Sequence, residues 1–148
     1  IWRYHSPAQM AGIEIAGFEF WTGIFSKDQI ITNDSPVNKG YALNHHFDKD
    51  EGHFQKTGVM NRPKVGTIYY PPMGKQCDGG YLKIYKTKDM DVTAPYELIE
   101  PKANRLVIFD AGQLHAVMGI SSGIRHSVAI NLWENHLSDE QREVMTVA

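Results

Sequence analysis

A chain of 148 residues has room for one hydrophobic core, so a single domain over 1–148 is expected. Its composition, 42% hydrophobic and 22% charged, is that of an ordinary globular protein, and a net charge of −2 with a pI of about 6.4 excludes any general electrostatic pull toward nucleic acid or an anionic membrane. The lone Cys77 excludes an internal disulfide and fits a reducing, cytoplasmic setting; no apolar run is long enough to span a bilayer and no signal-peptide pattern is visible.

Because the chain begins at Ile1 rather than Met, a preceding N-terminal segment is expected. Ile1 to Gly12 shows no period. Ile13 and Ile15 then alternate on odd positions and Phe18, Phe20 and Thr22 on even ones, and the phase change at Ala16-Gly17 predicts a bulge or break in a strand. Ser26 to Lys39 reads as a polar loop with Asp34-Ser35-Pro36 as its turn, and Gly40 to Phe47 as a strand. Lys49 to Lys64, polar and carrying Gly52, Gly58 and Pro63, reads as a mobile loop. Val65 to Tyr70 is a strand stopped by Pro71-Pro72, and Met73 to Gly80 a turn-rich loop. Together the two loops are expected to form a pocket rim that orders when substrate binds.

Tyr81 to Tyr85, Tyr96 to Ile99 and Leu106 to Phe109 follow as strands, the last ending in the turn Asp110-Ala111-Gly112. Leu114 to Ile120 and Ile124 to Trp133 read as an antiparallel pair around the turn Ser121-Ser122-Gly123. Ser138-Asp139-Glu140-Gln141 is a capping box that predicts a short C-terminal helix to about Thr146. Some eight short strands, with no space between them for β-α-β crossovers, predict an all-β double-stranded β-helix, or jelly roll.

One triplet in this frame carries chemistry. In a strand His46 and Asp48, two apart, point to one face, and a distant His115 would complete a two-histidine, one-carboxylate facial triad suited to iron(II) with open positions. With 7 His and 17 acidic residues in 148, chance alone supplies about one such His-x-acid triplet, so the triplet needs support from the rest of the chain. That support begins in the last strand. Arg125, Ser127, Ala129, Asn131 and Trp133 share one face, opposite His126, Val128, Ile130 and Leu132. Arg125 is a fork for a carboxylate, and Ser127 sets a hydroxyl beside it. Asp110 or Glu100 could supply that carboxylate from within the protein, and a bound dicarboxylate could supply it from outside.

In order along the chain, His46-x-Asp48, Ile68-Tyr69-Tyr70, Gly79-Gly80-Tyr81-Leu82-Lys83-Ile84-Tyr85, Ile99-Glu100-Pro101, Asn104-Arg105-Leu106-Val107-Ile108-Phe109, His115 and Arg125-x-Ser127 resemble the iron(II)- and 2-oxoglutarate-dependent oxygenases, in their prolyl 4-hydroxylase-like branch. The resemblance implies that His46, Asp48 and His115 hold Fe(II), and that Arg125, Tyr70 and Ser127 take the distal carboxylate of 2-oxoglutarate. It also places Leu82 in the co-substrate pocket and Asn131 near the metal, in contact with substrate or O2. Oxidative decarboxylation of 2-oxoglutarate would be coupled to hydroxylation of an unactivated C–H bond in a small molecule or a peptide, with a prolyl residue as the branch-level expectation and ascorbate as an accessory reductant. His45 should point away from the site, and His5, His53, His126 and His136 are not expected as ligands. The Pro71-Pro72 pair departs from the branch, where a leucine and a polar residue usually follow the tyrosine strand. Two other classes remain open from the residues alone: a cupin-like metalloenzyme that does not use 2-oxoglutarate, and a non-catalytic β-sandwich binding module.

Overall fold

Two antiparallel sheets face each other, and each strand alternates between a face that looks into the gap and a face that looks out. Residues 14–29, 40–72 and 77–134 are described, from a computed structural model. Within them the strands are β1 (Gly17–Ser26), β2 (Tyr41–His46), β3 (Val65–Tyr70), β4 (Cys77–Gly79), β5 (Leu82–Tyr85), β6 (Tyr96–Ile99), β7 (Arg105–Asp110), β8 (His115–Met118) and β9 (Ile120–Trp133). The larger sheet has the order β1-β9-β3-β7, with β4 added to the start of β9, and the smaller sheet the order β2-β8-β5-β6. This is the jelly roll that the strand spacing predicts. The C-terminal helix expected from Ser138 falls outside the described residues, as do 1–13 and most of the polar loop before Gly40.

Apolar alternation fills one half of the gap. Ile68 and Tyr70 of β3, Leu82 and Ile84 of β5, Val107 and Phe109 of β7 and Ala129 of β9 form a continuous buried cluster. In the other half, β9 and β1 face β2 and β8, where a smaller apolar cluster of Ala42, Val117 and Ile120 is joined by buried polar residues: Arg125, Ser127, Asn131, Glu19 and His115. Burying so many polar groups is tolerated only where they satisfy one another or a ligand.

Several elements differ from their predicted form. The segment after Asp48 is not all loop: Glu51–Thr57 is an α-helix, α1. The Asp50 side chain accepts from His53 N at its start, and Gly58, at φ 70°, closes it with an N–H to the Phe54 carbonyl. His53 is therefore helical. Strand β1 begins at Gly17 and pairs with β9 without a register shift from Gly17↔Trp133 to Ser26↔Ile124, so no bulge or strand precedes it within 14–16. The expected loop over 73–80 contains β4, while 73–76 lie outside the described residues.

The predicted turn at Ser121-Ser122-Gly123 is absent, and β9 runs continuously from Ile120. Its first residues pair with β4, which satisfies backbone groups that a hairpin with β8 would otherwise have taken. β8 instead pairs with β2 and β5. The expected β8–β9 pairing is thus replaced by an arrangement in which these strands lie in opposite sheets.

Candidate active site

The register pair His46↔His115 places two imidazoles side by side at the end of β2, with ring centroids 4.2 Å apart. Asp48 lies two residues beyond, just past the strand end, in a segment continued by the Asp50 cap. Its Oδ1 is 3.7 Å from His46 Nε2 and its Oδ2 is 3.6 Å from His115 Nε2. One ligand atom from each of the three residues lies within 4.8 Å of the others. Both histidines are held at their far nitrogen: Nδ1 of His46 donates to the Asn44 carbonyl at 2.6 Å and Nδ1 of His115 to the Gln113 carbonyl at 2.9 Å. A carbonyl can only accept, so Nδ1 carries the proton in each ring and Nε2 is the nitrogen left for a metal.

Electrostatics agree with a cation between them. Burial, then the neighbouring His115, lowers the pKa of His46 to about 4, so its ring is neutral at physiological pH. Burial also acts to lower His115, but the hydrogen bond and charge of Asp48 outweigh it and its pKa is raised. Asp48 is the converse: burial opposes its ionisation, and the bond to His115 more than compensates, so its pKa is lowered. The lowered pKa of Asp48 favours its carboxylate form, the form that ligates a divalent cation.

Across a cavity of about 220 Å³, Arg125 forms the other pole. It is 1% exposed. Its Nε donates to the Gly80 carbonyl at 3.0 Å, Nη1 to Ser127 Oγ at 2.9 Å and Nη2 to Tyr70 Oη at 3.0 Å. A guanidinium has five N–H donors, so one remains on each terminal nitrogen. Asp110 and Glu100 do not supply a counter-charge: they pair with Lys88 at 2.6 Å and Lys102 at 3.1 Å. Among the described residues no carboxylate lies within ion-pair distance of Arg125. Gly79 and Gly80 make this pole possible. Both have positive φ, 82° and 67°, and a Cβ on Gly80 would lie 3.1 Å from Arg125 Cδ. Burial raises the pKa of Tyr70 against the opposing pull of Arg125, so its hydroxyl keeps its proton and can donate it.

The sequence profile of the 2OG-Fe(II) oxygenase superfamily matches residues 32–134, over two-thirds of the chain. The chain belongs to that family. Among solved structures, this family member resembles a prolyl-4-hydroxylase of Pseudomonas putida (TM-score 0.55, 19% identity, 86% of this chain and 58% of that one). It also resembles a prolyl hydroxylase from Trichoplax adhaerens, solved with a hypoxia inducible factor oxygen degradation domain peptide fragment (TM-score 0.52, 15% identity, 93% of this chain and 51% of that one). The chain thus spans little more than half the length of either. No curated protein matches it by sequence. Family membership implies iron(II) and 2-oxoglutarate, and the His46, Asp48 and His115 set, with both Nε2 atoms and a carboxylate turned to one point, fits iron. No helix among the described residues is long and apolar enough to cross a membrane.

Every site residue named from the sequence is in or beside one cavity. His46, Asp48, His115, Leu82, Arg125, Ser127 and Asn131 line it, and Tyr70 meets it through Arg125. His115 and Arg125 converge because their sheets face each other. Asn131, expected to meet substrate or O2, directs its amide nitrogen at carboxylates: Nδ2 donates to Asp48 Oδ2 at 3.0 Å and to Glu19 Oε1 at 3.2 Å. His45 faces away and hydrogen-bonds with the Tyr85 hydroxyl at 2.7 Å. The sequence reading missed β1 altogether as a wall of the site. Its inner face is Glu19, Trp21, Gly23 and Phe25, set by register beside Asn131, Ala129, Ser127 and Arg125. A lone acid between Phe18 and Phe20 was the available signal for Glu19.

Proposed function

We propose that the chain hydroxylates an unactivated C–H bond in a reaction coupled to oxidative decarboxylation of 2-oxoglutarate, with His46, Asp48 and His115 holding Fe(II) and Arg125 anchoring the co-substrate. The observation that carries this reading is the buried Arg125, which has three neutral partners and two N–H groups left over, across a small cavity from the triad. A cation so enclosed is unfavourable without an anion. A dicarboxylate with a keto group fits the gap, since one end can meet the metal while the other reaches the guanidinium. Tyr70 and Ser127 add hydroxyls to the same carboxylate, and Leu82 packs against the connecting methylenes.

Bound iron and 2-oxoglutarate supply the oxidising power: one O2 is consumed, 2-oxoglutarate leaves as succinate and CO2, and one oxygen atom converts C–H to C–OH. The protein's own part is placement. Arg125 fixes one end of the co-substrate, and the Asn44 and Gln113 carbonyls fix the imidazoles. Leu82, Ile68, Phe109 and Val117 give the cavity an apolar lining that limits water.

The proposed substrate is a peptide, with a prolyl residue as the site of hydroxylation. The Trichoplax neighbour, solved with a peptide fragment, and the prolyl-hydroxylase motifs of β3 and β5 support this. The deciding assay is anaerobic titration of 2-oxoglutarate into protein with and without Mn(II). Binding that requires both the metal and Arg125 is expected, and metal-independent or absent binding refutes the reading. Turnover of proline-containing peptide libraries, read by mass spectrometry as a gain of one oxygen, then tests the substrate class.

A further inference from the structure

Glu19 is a carboxylate buried on the inner face of an edge strand, next to two exposed phenylalanines on the outer face. Packing alone does not call for it, because an apolar residue would be cheaper to bury. Its described partner is Asn131, directly across the β1–β9 register, and Asn131 in turn holds Asp48. The three side chains come from β1, β9 and the segment after β2, which are brought together only by the closed roll.

Resting on the iron reading above, we propose that Glu19 and Asn131 are positioning residues for the metal carboxylate: Glu19 fixes the orientation of the Asn131 amide, and Asn131 fixes Asp48. The chemistry of an amide makes the pair necessary. Asn131 is 1% exposed, and its side chain ends in a donor and an acceptor of nearly the same shape. With only Asp48 to face, a single hydrogen bond defines the amide. With Glu19 as a second acceptor, both hydrogens of Nδ2 are engaged, one at 3.0 Å and one at 3.2 Å, and the flipped amide would turn its oxygen toward two carboxylates at once. Glu19 therefore excludes the flipped state. Asp48, which follows the end of β2 and lacks a strand to hold it, gains a fixed plane between His46 and His115. The role parallels that of the Asn44 and Gln113 carbonyls toward the two histidines, so each of the three ligands has its own support.

The test is Mn(II) binding under anaerobic conditions, followed by electron paramagnetic resonance, for the parent, Asn131→Ala, Glu19→Ala and Glu19→Gln, with thermal unfolding of each metal-free protein. Asn131→Ala is expected to weaken Mn(II) binding by about 10- to 100-fold, and Glu19→Ala by about tenfold, the low end of the range for such outer contacts. Glu19→Gln keeps an acceptor oxygen and should restore both the affinity and the parent line shape. At saturating Mn(II), 2-oxoglutarate affinity should stay within about twofold in the Glu19 variants, because the Arg125 anchor is untouched. A parent that binds no Mn(II) overturns the iron reading and this proposal together. A parent that binds it, with Glu19→Ala and Asn131→Ala folded and binding equally well, overturns the positioning role alone. So does a Glu19→Gln variant as impaired as Glu19→Ala.

Discussion

Replacing Arg125 by Met tests the co-substrate pole most directly. The methionine fills much of the same space without a charge, so the cavity wall is kept. In the parent, the two unused N–H groups of the guanidinium would form a bidentate fork on the distal carboxylate of 2-oxoglutarate. Removing one side of such a buried pair costs ~3–5 kcal/mol, or roughly two to four decades in affinity. Part of that is recovered here. Tyr70 and Ser127 lose the Arg125 contact; the Tyr70 hydroxyl can still donate to the carboxylate, and the Ser127 hydroxyl can do so by giving up its 3.4 Å bond to the Gly23 carbonyl. The expected loss is therefore at the low end, ~3 kcal/mol or roughly a hundredfold. Metal affinity should not change, since Arg125 touches none of the three ligands. Stability without ligand should also move little: the Gly80 carbonyl loses its donor, but a buried charge goes with it. The assay is calorimetric titration of 2-oxoglutarate into Mn(II)-loaded protein without oxygen. If Arg125→Met binds 2-oxoglutarate within threefold of the parent, the anchor is elsewhere.

Tyr70→Phe removes one hydrogen bond to a charged group and should weaken 2-oxoglutarate by ~1.5–3 kcal/mol in the same titration, less than Arg125→Met; an equal or larger loss would reverse the ranking. His115→Ala should abolish tight iron binding, whereas His45→Ala should leave it intact and instead lower the Tm, because its buried bond to Tyr85 is lost; a His45 variant with impaired metal binding would contradict the assignment. With Asp48 as the proposed acidic ligand, no coordination position is left for halide, so turnover in chloride buffer should give a hydroxylated product, and a chlorinated one seen by mass spectrometry would count against Asp48 as a ligand. Asp50→Ala removes the cap of α1 and should cost about 1 kcal/mol in urea unfolding; no change in midpoint would mean the cap is dispensable.

Strand alternation made half of the site legible in the sequence. Arg125-x-Ser127 is an i, i+2 pair within β9, and a period of two assigns it to one face before any partner is known; His46-x-Asp48 has the same spacing, but β2 ends at His46, so the approach of Asp48 is set by the segment after the strand and not by alternation. What alternation does not encode is which strands meet. The wrong neighbours were assigned to β8 and β9 because Ser121-Ser122-Gly123 has turn chemistry, although the chain there crosses between sheets and pairs with β4. Glu19 was missed for the same reason: its meaning depends on a register with Asn131, more than a hundred residues away. Helix α1 was hidden differently. Its seven residues bury none of their number, so it has no apolar stripe to read, and only the Asp50 and Gly58 caps mark its ends.

The pairing of β1 with β9 also sets a timetable. Gly17 meets Trp133, a separation of 133 − 17 = 116 residues, and even the nearest pair, Ser26 with Ile124, is 124 − 26 = 98 apart. Contacts so distant along the chain close late, because the loop entropy must be met before the pairing gives anything back. During synthesis His46, Asp48 and most strands of both sheets leave the ribosome well before β9 exists. Until β9 arrives, β1 has no neighbour in its sheet and the two poles of the cavity cannot face each other. A chain halted before Ile120 would carry all three proposed iron ligands, His46, Asp48 and His115, on an unclosed roll that lacks Arg125. Completion of the last strand is therefore the step that brings the two poles of the proposed site together.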